Sequence, residues 1–177
     1  MHIRPLRAAD AAPSRTLMLQ AYADAPDAFT STPEERAAEP LAWWERRIGN
    51  VDDPAGRGAA FGAFVDGELA GVAALECNDK PKTRHKALLI GMFVDERCRG
   101  LGAGAALVRA VLDHARARPG LSHVTLTVTE GNEPALRLYR ACGFEAFGVE
   151  PMAIRTPRGL LGKVHMWCPL HGEPMAA

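Results

Sequence analysis

The sequence predicts an α/β fold with the element order βααβββαβαββ, and three observations carry that reading. Residues 59–65 and 69–76 are two apolar runs joined at Asp66-Gly67, a two-residue hairpin signal. Residues 87–94 are an apolar run that leads through a glycine turn into Leu107, Val108, Val111, Leu112 and Ala115, which recur at helical spacing. Residues 123–128 are rich in Val and Thr, as strands are, and Asn132 then opens a second helical stretch.

The remaining elements follow in order. Residues 3–7 read as a first strand. Asp10 is placed to cap a helix that runs through about Tyr22. Residues 25–33 carry Pro, Asp, Ser and Thr and read as a loop. A second helix covers residues 41–48, with Trp43 and Trp44 near its start, and Gly56-Arg57-Gly58 ends a turn-rich link. Residues 79–86 are a polar, basic turn, read as a solvated face. The helix after the glycine turn spans residues 105–118, closed by Arg116, Arg118, Pro119 and Gly120. Pro134 is tolerated in the first turn of the helix that Asn132 caps, and Gly143 lies past its end. Residues 147–154 and 163–167 are the last strands, around Thr156-Pro157-Arg158-Gly159.

Composition bounds the function. The 177 residues suit one domain with one core, and the apolar share of 47% is ordinary for a globular chain. The 21 basic and 21 acidic residues cancel, which argues against a broad nucleic-acid or acidic-membrane surface. The N-terminus, Met-His-Ile-Arg-Pro, lacks a signal-peptide apolar region, and no apolar run approaches membrane-spanning length. Cys77, Cys98, Cys142 and Cys168 have no paired spacing and read as free thiols, so the expected location is the cytoplasm. His165, Cys168 and His171 have steps of three; on a strand these alternate faces, so no metal site is expected.

The most informative stretch is Arg97-Cys98-Arg99-Gly100-Leu101-Gly102-Ala103-Gly104, between a strand and a helix. Glycines let backbone approach a ligand closely, and a helix N-terminus offers free amides and a favourable dipole to an anion. Arg97 and Arg99 add positive charge. Gly104 is followed by Ala105-Ala106, not Lys-Ser/Thr, so this is not a Walker A loop, and the glycine spacing does not fit a dinucleotide fingerprint.

Two motifs then resemble a known family. Arg97-x-x-Gly100-x-Gly102 is similar to the acetyl-CoA pyrophosphate motif of the GCN5-related N-acetyltransferases (GNAT). Asn132-x-x-Ala135-x-x-Leu138-Tyr139-x-x-x-Gly143-Phe144 is similar to that family's second motif. The start, Ile3-Arg4-Pro5-Leu6-Arg7 with Asp10, looks like the family's first strand and turn. The resemblance is strongest over residues 85–145. It implies a mixed, mostly antiparallel central sheet flanked by helices, and a single N-acetyltransferase domain over residues 1–177. It implies transfer of an acetyl group from acetyl-CoA, as co-substrate, to a primary amine in a ternary complex.

The resemblance also assigns residues. The pyrophosphate is expected on Arg97, Arg99, Gly100, Leu101, Gly102, Ala103, Gly104 and Ala105. The edge of Met92, Phe93 and Val94 is expected to pair with the pantetheine amides as an added strand would. A bulge is expected to splay this strand from the 124–128 strand, with Gly91 as the candidate. Asn132, already explained as a helix cap, gains a contact to the pantetheine arm. Tyr139 by position alone is a core tyrosine; the resemblance makes it the general acid for the departing thiolate. No motif selects a base. Glu76 and Glu130 are the leading candidates, directly or through water, with His85 and His165 as further acceptors.

Acceptor walls are expected at residues 25–32, at Trp43-Trp44 and in the 154–164 hairpin. Many members of the family dimerise, so a homodimer enters as an expectation. Two other readings keep the fold: a non-catalytic acyl-CoA-binding regulatory module, and a transferase acting on a macromolecular acceptor such as a ribosomal protein N-terminus or aminoacyl-tRNA.

Overall fold

A computed structural model describes residues 1–53, 56–98 and 100–171. Seven strands form one open sheet in the order β1-β2-β3-β4-β5-β7-β6. They are β1 (His2–Pro5), β2 (Gly58–Val65), β3 (Glu68–Cys77), β4 (Lys86–Val94), β5 (His123–Thr129), β6 (Glu145–Thr156) and β7 (Gly159–Pro169). β4 and β5 run parallel; every other neighbouring pair is antiparallel. The helices are α1 (Ala11–Asp24), α2 (Pro33–Ala37), α3 (Leu41–Ile48), α4 (Ala103–Arg116) and α5 (Glu133–Ala141).

The sheet is covered on both faces, and strand alternation sets which residue goes where. Ala59, Phe61 and Ala63 of β2 turn to one side and pack with Leu107, Val108, Val111 and Leu112 of α4 and with Leu136 and Tyr139 of α5. Ala60 of β2 and Val72 and Ala74 of β3 turn to the other, under Leu17, Met18, Ala21 and Tyr22 of α1 and Trp44 and Ile48 of α3. Small residues on the middle strands let helices approach closely: a Cβ on Gly71 would lie 3.1 Å from Leu107.

Three differences from the sequence reading have local causes. α2 falls partly within the stretch read as loop. Thr32 and Glu35 cap each other's backbone amides, with Pro33 at the first helical position, so a five-residue helix forms among turn residues. β1 ends at Pro5, and Asp10 does not cap α1. Its carboxylate instead takes both guanidinium arms of Arg4, at 2.8 Å each, and the Arg7 amide at 2.8 Å. α4 spans Ala103–Arg116, so Ala103 and Gly104, read as loop, belong to its first turn, and it ends two residues before the expected Arg118.

The bulge in β4 positions the site. Opposite β3 the register steps from Val72↔Phe93 to Ala74↔Ile90, so Gly91 and Met92 together face Ala73. Gly91 sits at φ 60°, a left-handed conformation that glycine adopts without strain. β4 pairs with β5 only through Lys86↔His123, Ala87↔Val124 and Leu88↔Thr125. Beyond Leu88 the two strands part. The β5-facing edge of β4 is left unpaired as it runs to the glycine turn.

Candidate active site

Where the strands part, a cleft of about 310 Å³ opens. One wall is β4 from Leu88 to Met92 and the other is β5 from Leu126 to Thr129. Asn132, Ala135, Leu138 and Tyr139 of α5 close one side, and Tyr22 with Ala28, Phe29, Thr30 and Ser31 closes the other. The 25–32 loop is therefore a cleft wall, tied to the sheet where the Thr129 hydroxyl donates to the Asp27 carbonyl at 2.7 Å.

The glycine turn lies beyond the far end of β4. Gly100 and Gly102 have φ of 77° and 75°, and open space faces both. Gly102 is the N-cap of α4 and has no side chain to occupy the first-turn amides. No described residue accepts from the amides of Ala103, Gly104 or Ala105. Donors at a helix start that have no acceptor among the described residues, fronted by open space, form a cradle suited to an anion. Gly104 serves packing instead. A Cβ there would lie 3.2 Å from Leu138 and 3.3 Å from Met92, so its absence lets α4 sit close to α5 and β4.

Arg97 differs from its expected role. One arm donates to Asp95 at 3.1 Å and the other to Glu68 at 2.9 Å, while its amide donates to Asp95 at 2.9 Å. Those carboxylates hold its pKa above the ordinary arginine value. The guanidinium braces the loop against β3 rather than standing free beside the cradle. Arg99 and its expected charge lie outside the described residues.

Tyr139 is buried and lines the cleft, with its ring edge-to-face against Phe144 at 5.7 Å. Burial pushes its phenol well above the ordinary tyrosine value, so it stays protonated at working pH. No described residue hydrogen-bonds its hydroxyl. Asn132 accepts from the Ala135 amide at 3.2 Å and also lines the cleft, so capping and ligand contact are compatible.

None of the expected acceptors lines this cleft. Glu76 lies in a neighbouring hollow and faces Arg47 at 3.9 Å. Glu130 accepts from the Gly162 amide at 2.9 Å and so fastens β5 to β7. His165 faces Glu150 at 3.2 Å, and the His85 ring lies tilted against His123, 5.6 Å between centroids. The described lining holds no Asp, Glu or His at all. What it does hold, and what sequence reasoning missed, is Arg36, Arg47 and Lys163. Lys163 is buried, and desolvation lowers its pKa. Its place on β7 opposite Thr129 was not legible, because a lysine beside a hairpin reads as solvated.

Comparison with known proteins agrees with this geometry. Residues 18–144 match the Acetyltransferase (GNAT) family. The chain belongs to that family. A mycothiol acetyltransferase from Thermomonospora curvata is 38% identical over 139 residues, 78% of this chain and 41% of that protein. The L-amino acid N-acetyltransferase AaaT of Escherichia coli is 30% identical over 86 residues, 49% of this chain and 52% of that one. The chain thus spans about half or less of these relatives' length. A GNAT superfamily phosphinothricin acetyltransferase from Sinorhizobium meliloti, solved with AcCoA, shares the fold at a TM-score of 0.83 and 18% identity, over 99% of this chain and 91% of that one. The mostly antiparallel seven-stranded sheet flanked by helices matches that fold. Among the described residues no helix is long and apolar enough to cross a membrane, and no group of three His, Cys, Asp or Glu is placed to hold a metal ion.

Proposed function

We propose that residues 1–177 form a single acetyl-CoA-dependent N-acetyltransferase domain that acylates a primary amine by direct transfer in a ternary complex. The observation that carries this reading is one continuous path: the amide cradle at Gly102–Ala105, the unpaired edge of β4 along Met92–Val94, and the cleft at Gly91 with Tyr139 on its wall. Acetyl-CoA would supply the activated thioester. The residues present fit it: helix-start amides without a described acceptor and left-handed glycines for the pyrophosphate, a strand edge for the pantetheine amides, and Asn132 for the arm.

In this reading the chain's own residues position and protonate. The edge of β4 fixes the thioester against the bulge. The acceptor nitrogen enters from the side of Tyr22 and Phe29 and attacks the carbonyl carbon. The carbon–sulfur bond breaks, and the Tyr139 hydroxyl gives its proton to the departing sulfur. The nitrogen's surplus proton passes into cleft water, from which the Tyr139 hydroxyl is restored, since no carboxylate or imidazole lines the described cleft; this replaces Glu76 and Glu130 as direct bases. The relatives named mycothiol acetyltransferase and L-amino acid N-acetyltransferase support transfer to an amine. A homodimer belongs to the same proposal, supported by the exposed apolar side chains of Phe147, Val149 and Met152 on the edge strand β6.

The test is acetyl-CoA-dependent release of free thiol across a panel of primary amines. Release that requires an amine and falls in Tyr139→Phe is expected. Thiol release that is independent of every amine would contradict transfer.

A further inference from the structure

Resting on the acetyl-transfer reading, we infer that the acceptor is a small amino acid whose free carboxylate is held by Arg47 and Arg36. The cleft has three cationic side chains on its described wall and no anionic one. The phosphate cradle does not account for them. It follows the far end of β4, whereas Arg47 lines the cleft beside Leu88 and Ile90, near the end where β4 begins.

Arg36 and Arg47 stand over Trp43, at 4.7 and 5.2 Å from its ring centroid, so the indole orients both guanidinium groups. Each is paired only loosely with a carboxylate inside the protein. Arg36 is 3.8 Å from Glu39, and Arg47 is 3.9 Å from Glu76. Arg47 makes no hydrogen bond to a described residue; Arg36 donates through Nη2 to the Ser31 hydroxyl at 2.6 Å, and its Nε is buried without a partner among the described residues. Donors left over in a partly buried cleft are matched by a carboxylate, whose oxygens take two guanidinium N–H groups at once.

A second hollow of about 690 Å³ meets the cleft at Arg47, Leu88 and Ile90. Its wall carries Arg46, Arg57, Lys80 and Lys86 against Glu76 and Asp79; Arg57 pairs with Asp79 at 3.3 Å, whereas Arg46, Lys80 and Lys86 form no ion pair with a described residue, so cations outnumber carboxylates there. The basic turn that reads as a solvated face in the sequence thus extends the same positive field. The excess of positive charge along this entry disfavours an acceptor with further positive charge, such as a polyamine.

The experiment uses the full chain. Acetyl-CoA binding is measured first by calorimetry. The CoA-loaded protein is then titrated with leucine, methionine, phenylalanine and glutamate, with the C-terminal amide of each, and with putrescine. Acetylation rates are measured on the same set. The expected result is that at least one free acid binds and is acetylated about tenfold or more better than its amide, the size set by a charge-assisted hydrogen-bond pair. Arg47→Gln should erase that ratio with acetyl-CoA affinity unchanged, and Arg47→Lys should keep part of it. Equal handling of acids and amides, a preference for putrescine, failure of every acid to bind, or an unchanged ratio in Arg47→Gln would overturn the inference. Loss of acetyl-CoA binding by the wild-type protein would instead overturn the transferase reading beneath it.

Discussion

Tyr139 is a phenol kept protonated by burial, with no described residue competing for its hydroxyl. Tyr139→Phe should lower kcat by about 10²-fold or more and leave acetyl-CoA affinity nearly unchanged. Because its pKa is raised, Tyr139 contributes no alkaline limb to the rate profile below about pH 10. A limb there that vanishes in the variant would contradict this. Asp10 has the opposite shift: the Arg4 guanidinium, together with the Arg7 amide, holds its carboxyl below the usual range. A depressed carboxylate pKa stabilises the fold above the unfolded value of about 3.9 and loses that contribution as pH falls through the folded value. Asp10→Asn should therefore cost about 1–3 kcal/mol near neutral pH, read from the denaturant midpoint, and progressively less below about pH 4. Asp10 shows what sequence alone leaves ambiguous at this scale. Its position before a helix reads as a cap, but which donor wins the carboxylate depended on where Arg4 would sit.

At the scale of elements, the glycine turn and the β4 bulge do separate jobs. Gly102 combines a left-handed φ of 75° with open space, so Gly102→Val both strains the backbone and fills the approach to the amide cradle. The variant should raise the acetyl-CoA Kd more than tenfold and cost stability by about 1–3 kcal/mol. Unchanged affinity in a folded variant would contradict the cradle. The turn was legible from a chain-local feature, a strand–glycine–helix run; the bulge was expected from the family resemblance, and the isolated strand glycine gave its place at Gly91. α2 was less legible, since its capping pair, Thr32 and Glu35, is spaced within residues that also favour turns. The cationic lining was not legible. Arg36, Arg47 and Lys163 come from α2, α3 and β7, and only the sheet order brings them to one cleft.

Across the whole molecule, a sheet covered on both faces holds the parted strands open. α4 carries much of that support, with Leu107, Val108, Val111 and Leu112 at most 1% exposed. Leu107→Ala should destabilise the chain by about 2–5 kcal/mol, seen as a lower denaturant midpoint, through lost burial and the cavity left behind. The element order was readable from pattern, and the mixed sheet from the family resemblance. The acceptor side was not, because it is built from loops and side chains whose meeting is a property of the complete fold. The most direct test of the account is a calorimetric titration of the folded protein with acetyl-CoA, with free CoA and ATP as comparisons. The account predicts saturable acetyl-CoA binding, weakened in Gly102→Val, with no comparable binding of ATP. A folded protein that leaves acetyl-CoA unbound would contradict it, and would make the glycine turn a structural feature alone.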